Sequence, residues 1–187
     1  MQEQLDLMGF EPEPQSLHTL LFAINLSPDT GTQVANLRNQ LIEKHGLGGK
    51  QIGLKLLHVT LFDLELFVAD KADRARRAAE TVAVAPFDIV FDRALSFPAS
   101  KAFVLSGSQG SNIALAALQQ HLDVAMKKQG LRAKAIKTPH VTLMYGNRTV
   151  TEHLVEPIHW TVKEFTLIRS HVGKTLHEPL GSWPLRS

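Results

Sequence analysis

The chain has 187 residues, 44% of them hydrophobic, and no cysteine. That suffices for one generous domain or two small lobes with a real core, and it excludes a disulfide framework, a thiolate nucleophile and a thiolate metal site. A formal charge of only +2 argues against wholesale electrostatic binding of nucleic acid, and no apolar run approaches the roughly 18 residues of a membrane span.

Residues 1–16 are acidic and proline-bearing, unlike a signal peptide, and are expected to be a flexible extension of a single domain over 17–187. Leu20 to Leu26 is apolar except for Asn25, the pattern of a buried strand. Pro28 and Asp29 start a helix in which Val34, Leu37, Leu41 and Ile42 fall at helical spacing, and Gly46, Gly48 and Gly49 end it. The run Gly46-Leu47-Gly48-Gly49-Lys50 has the wrong spacing for a phosphate loop and follows a helix, so it reads as a helix stop and turn. Lys55 to Leu61 is the next strand. Val68 to Val84 is a helix with Arg74, Arg76 and Arg77 on its wet face, and Phe87 to Phe97 is a further strand.

The order then repeats. Ala102 to Leu105 is a strand, Ser111 or Asn112 a cap, and Leu115, Leu118, Leu122 and Met126 a helical stripe stopped by Gly130. A strand through His140 follows, then one from Trp160 to His171, and a tail from Leu176 to Leu185 that closes a hairpin. The tetrapeptide His-Val-Thr-Leu stands at His58 to Leu61 and again at His140 to Leu143, 82 residues apart. The helix ends Gly46-Leu47 and Gly130-Leu131 are 84 apart, so the halves run nearly in register. The expected fold is α+β and bilobal: pseudo-repeats over about 17–99 and 100–187, two antiparallel sheets with flanking helices, and a central groove between them.

In an extended strand His58 and Thr60 share one face and Val59 and Leu61 the other; the same holds for His140 and Thr142. A single copy is better read as an ordinary half-buried edge strand. Two copies at equivalent places of a repeat point to a shared groove holding two imidazoles and two hydroxyls. Imidazoles titrating near pH 6.5 serve as acid and base on a phosphodiester, and hydroxyls donate to its non-bridging oxygens. One imidazole per motif, with threonine beside it, makes a poor metal set, so neither metal nor cofactor is expected. Lys127, Lys128, Arg132, Lys134 and Lys137 cluster ahead of the second motif, either as a solvated helix end or as a phosphate-steering rim. His18, His45, His121, His153, His159, His171 and His177 share no spacing and read as structural, with His171 placed to border the groove.

Paired H-x-T-L motifs in duplicated halves resemble the 2H phosphoesterase superfamily, and within it the bacterial and archaeal RNA 2',3'-cyclic phosphodiesterases, long labelled 2'-5' RNA ligases. Leu21 to Pro28 is similar to that family's first strand and turn; Pro139 to Leu143, Trp160 and Glu164 to Leu167 are similar to its C-terminal half. Two departures stand out. Phe62-Asp63-Leu64-Glu65 follows the first motif where the family commonly has Phe-Leu-Gly, and Tyr145 stands where many members place a phosphate-holding arginine. Tyr145 and nearby Arg148 are therefore candidate substrate contacts.

The resemblance implies a cytoplasmic, metal-independent hydrolase, acting as a monomer on RNA ends or small cyclic-phosphate nucleotides. His58 would be the acid, His140 the base, Thr60 and Thr142 the phosphate ligands, a 2'-phosphate the product, and 2'-5' ligation a weak reverse activity. The alternatives are the same chemistry on another cyclic nucleotide, an ADP-ribose cyclic phosphate or a 2'-5' oligonucleotide, and an RNA-end binding module without turnover. Separately, Gln4, Leu5, Asp6, Leu7 and Met8 resemble the short peptide by which bacterial proteins dock on the DNA-polymerase sliding clamp.

Overall fold

The computed structural model describes residues 17–108 and 112–186; the clamp-like peptide and the extension that carries it lie outside them. The first half runs β1 (His18–Asn25), α1 (Pro28–His45), β2 (Gly49–Gln51), a 3-10 turn (Leu54–Leu56), β3 (His58–Leu66), α2 (Ala69–Glu80) and β4 (Phe87–Phe97). The second runs β5 (Ala102–Ser106), α3 (Ile113–Lys128), β6 (Lys134–Ala135), β7 (His140–Gly146), β8 (His153–Val162), β9 (Glu164–His171) and β10 (Leu176–Pro184). The class is α+β, as expected.

Local chemistry accounts for the boundaries of α1. Ser27 accepts from Thr30 N–H, Pro28 occupies the first turn, and Gly46 adopts φ 58° while Leu47 N–H reaches back to Ile42 O. The second helix is shorter than Val68 to Val84 because Thr81 turns back on Ala78 O and ends it. It buries Ala72, Ala75, Ala78 and Ala79, packs on α3 and β10, and leaves Arg74 and Arg76 paired with Asp70 and Asp73 on its wet face.

Every strand pairing is antiparallel, in the order β10-β9-β1-β3-β7-β5-β4-β8. The two expected sheets are therefore two groups of four strands in one continuous sheet, joined through β3 and β7. These two motif strands register directly only at Val59 and Val141. Beyond that point short arms occupy their edges: β6 pairs with β3 at Phe62 and Asp63, and β2 pairs with β7 from Met144 to Gly146. Each arm comes from the opposite half of the sequence.

Sequence order and spatial order part at two places. Strand β4 belongs to the group of β5 and β7, whereas β9 and β10 return to the group of β1 and β3. The expected single strand from Trp160 to His171 is consequently two. It breaks at Lys163, whose carbonyl accepts from Leu185 N–H, as the chain crosses from one group to the other. The core spans both groups, with Phe22, Phe62, Phe91, Phe103 and Phe165 fully buried.

Candidate active site

Along β3 and β7 the burial alternates as the motif predicts: Val59, Leu61, Val141 and Leu143 are in the core, while His58, Thr60, His140 and Thr142 are half-buried on the other face. The alternation then slips in both strands at the same place. Leu61 has no partner between Phe22–Phe62 and Ala23–Thr60, and Leu143 has none between Phe103–Met144 and Val104–Thr142. Each is the extra residue of a bulge, which shifts the facing of everything after it by one. Asp63 and Tyr145, five residues beyond their motif histidines, thereby join the histidine face.

The bulge carbonyls are satisfied by the crossing arms. Ile136 N–H donates to Leu61 O at 3.0 Å, and Ile52 N–H donates to Leu143 O at 3.0 Å. Each arm is in turn held from a helix: Gln119 Nε2 donates to Ile136 O at 3.0 Å, and Arg38 Nη1 donates to Ile52 O at 2.5 Å. Gln119 also reaches Leu61 O at 3.0 Å.

The face so built lines a groove of about 520 Å³ that includes His58, Thr60, His140, Thr142 and Tyr145. His58 Nδ1–H donates to Leu56 O at 2.7 Å, and His140 Nδ1–H donates to Thr138 O at 2.7 Å. A carbonyl only accepts, so both rings carry their proton on Nδ1 when neutral and keep the Nε2 lone pair for the groove. The 3-10 turn ends at Leu56, two residues before His58, and Thr138 lies in a bend two residues before His140, followed by Pro139. Among the described residues, the hydroxyls of Thr60 and Thr142 have no hydrogen-bond partner in the protein.

The two rings differ in what backs them. His177, on β10, meets His58 edge to face with centroids 5.0 Å apart, and Phe97 meets His140 at 4.9 Å. Burial pushes His58 down to about 4, with the neighbouring His177 and His140 adding to the drop against the Leu56 hydrogen bond. Burial also lowers His140 and His177 below the ordinary imidazole value.

Residues 26–174 match the family model described as the 2'-5' RNA ligase superfamily. The chain belongs to that superfamily, the 2H phosphoesterases. Its fold is similar to E. coli LigT crystallised with 3'-AMP, at 24% identity and TM-score 0.72 over 91% of this chain and 99% of that one. TT0787 of Thermus thermophilus shares 18% identity at TM-score 0.71 over 90% and 98%. The MHV ns2 PDE domain shares 20% at TM-score 0.58 over 83% and 99%. No curated protein matches the sequence.

Within this 2H frame, several residues lie away from where their sequence context points. Arg148 is not on the groove; it lines a separate pocket with Lys44 and His45, and its guanidinium lies near Gly46. His45 and His153 meet there, Nε2 to Nε2, at 3.2 Å. None of Lys127, Lys128, Arg132, Lys134 or Lys137 lines the groove, and Lys127 pairs with Asp123. His171 does border it, with Nε2 3.1 Å from Glu178.

Three ionisable groove residues were not among the candidates read from the sequence. His177 enters through the β9–β10 hairpin, Lys50 through the arm β2 rather than a plain turn, and Asp63 through the bulge in β3. The equivalence of Asp63 and Tyr145, at the same offset from the two motifs, was open to sequence comparison; their facing was not. Among the described residues no group of three His, Cys, Asp or Glu is arranged to hold a metal ion.

Proposed function

We propose that this 2H phosphoesterase hydrolyses RNA 2',3'-cyclic phosphodiester ends to 2'-phosphate ends by two-imidazole acid–base catalysis. The observation that carries the reading is the pair of Nδ1-anchored histidines, on adjoining strands, that line one groove with two unpartnered threonine hydroxyls. The phosphate anion sits between the rings, with Thr60 and Thr142 donating to its non-bridging oxygens. Water attacks phosphorus as the bond to the ribose 3'-oxygen breaks. His140 Nε2 takes the water proton, and His58 gives its own to the leaving 3'-oxygen, leaving a 2'-phosphate and a 3'-hydroxyl. His58 is neutral in the free protein at neutral pH, so it takes up this proton with the substrate, whose negative charge favours the imidazolium. With a 5'-hydroxyl in place of water as the nucleophile, the same step breaks the bond to the 3'-oxygen and joins the cyclic end as a 2'-5' bond; water at high concentration favours hydrolysis.

The test is turnover of 2',3'-cyclic nucleotides, RNA with a cyclic-phosphate end and 2'-5' oligomers in EDTA, with product regiochemistry read by NMR. Hydrolysis is expected to persist in chelator and to fall by about 10³-fold or more in His58→Ala and in His140→Ala, since the pair acts as a unit. Full activity in either variant removes the two-imidazole mechanism.

A further inference from the structure

The two motif strands match in their bulges and crossing arms but not in charge. Asp63 and Tyr145 stand at equivalent positions, each opposite a lysine on the crossing arm: Lys134 faces Asp63 in register, and Lys50 faces Tyr145. Directly opposed residues of an antiparallel pair share a face. Lys50 nevertheless lines the groove and Lys134 does not, and Lys50 is the only lysine or arginine among the described residues that line it. No described acidic residue pairs with Lys50, whereas Asp63 brings a carboxylate to the groove with Oδ1 accepting from Glu65 N–H at 2.8 Å.

Because β3 and β7 run antiparallel from Val59 and Val141, Asp63 and Tyr145 lie toward opposite ends of the groove. One end thus has a fixed cation beside a phenol ring that is 48% exposed; the other has a carboxylate in the groove, with its in-register neighbour Lys134 outside the lining. A polyanion with its reacting phosphate at the centre is attracted at the first end and repelled at the second. An exposed aromatic face beside a cation suits a stacked base and its phosphodiester.

We propose that Lys50 and Tyr145 form a subsite for the nucleotide next to the reacting phosphate, so that the preferred substrate carries a second phosphodiester there. The inference rests on the phosphodiesterase reading above and deepens it: the substrate is an oligonucleotide end in preference to a lone nucleoside cyclic phosphate. Lys50 binds the adjoining phosphodiester, Tyr145 stacks on its base, and Asp63 keeps the chain from lying the other way round.

The test compares a dinucleotide ending in a 2',3'-cyclic phosphate with the corresponding nucleoside 2',3'-cyclic phosphate, in the wild type, Lys50→Gln, Tyr145→Ala and Lys134→Gln. The ratio of kcat/KM, dinucleotide over mononucleotide, should exceed one in the wild type. It should fall about fivefold in Lys50→Gln, the size of one exposed ion pair. The salt slope for the dinucleotide should drop by about one in the same variant. Lys134→Gln should leave the ratio unchanged. A wild-type ratio of one, a ratio untouched by Lys50→Gln, or an equal fall in Lys134→Gln overturns the subsite. Calorimetric binding of the 2'-phosphate products, dinucleotide against mononucleotide, reads the same preference without turnover. Absence of hydrolysis with a Lys50-dependent binding preference would therefore defeat the reaction and leave the subsite standing.

Discussion

His58 and His140 share a sequence context and an Nδ1 hydrogen bond, yet an imidazole packs on one and a phenyl ring on the other. Two coupled groups give a bell-shaped profile of kcat/KM whose limbs are macroscopic values, whichever residue is acid and whichever is base. His58 is the more strongly lowered of the two, to about 4, so the acid limb is chiefly its own. Removing the His177 ring opens His58 to water and takes away a neighbouring charge, and both changes raise its pKa. In His177→Ala the acid limb of kcat/KM is expected to move to higher pH, narrowing the bell from that side. Titration of the rate between pH 3.5 and 8 checks this, and an unmoved limb removes His177 from the control of His58. The motif histidines and threonines were legible because chemistry and alternation coincide in four residues. His177 was not, since its nearness to His58 comes from a hairpin more than a hundred positions further along the chain.

At the scale of elements, the arms β2 and β6 decide the shape of the groove. Gly49 opens β2 at φ 141°, and a Cβ there would lie 2.0 Å from Tyr145 O. Gly49→Ala is expected to cost about 1–3 kcal/mol from the backbone conformation alone, with a further cost as the arm is pushed off β7. Gly31, inside α1, has open space around it, and a Cβ added there would meet nothing within 4 Å. Gly31→Ala should be neutral or stabilise by up to about 1 kcal/mol through helix propensity and a less mobile unfolded chain. Urea midpoints for the two variants, moving in opposite directions or with Gly31→Ala unmoved, test the contrast. Helices and long strands were readable here because caps, glycine stops and apolar spacing are local signals. The arms, two and three residues long, carry no periodicity, and a bulge leaves no mark in a sequence whose alternation simply slips.

Across the whole molecule, each half of the sequence lends a strand or an arm to the other group. Strand β4 sits with β5 and β8, strands β9 and β10 with β1, and β2 and β6 cross in opposite senses. Such an exchange should make unfolding a single cooperative event. Trp183 packs on Phe165 in one group and Trp160 on Phe91 in the other, so each reports its own side. Urea curves followed by fluorescence in Trp160→Phe and Trp183→Phe are expected to coincide in shape after correction for the mutational shift; a distinct second transition in either would mean separable lobes. Composition, helix stops and a twice-written His-Val-Thr-Leu were sufficient for the α+β class and for the shared facing of His58, Thr60, His140 and Thr142, because each depends on contacts a few residues apart or on a literal repeat. The single sheet, the exchange between its groups, the bulges that turn Asp63 and Tyr145 inward, and the placing of Lys50 and His177 were settled by pairing between distant segments. Strand neighbours are chosen by the packing of the whole chain, and no local pattern of residues encodes which distant edge a strand will meet.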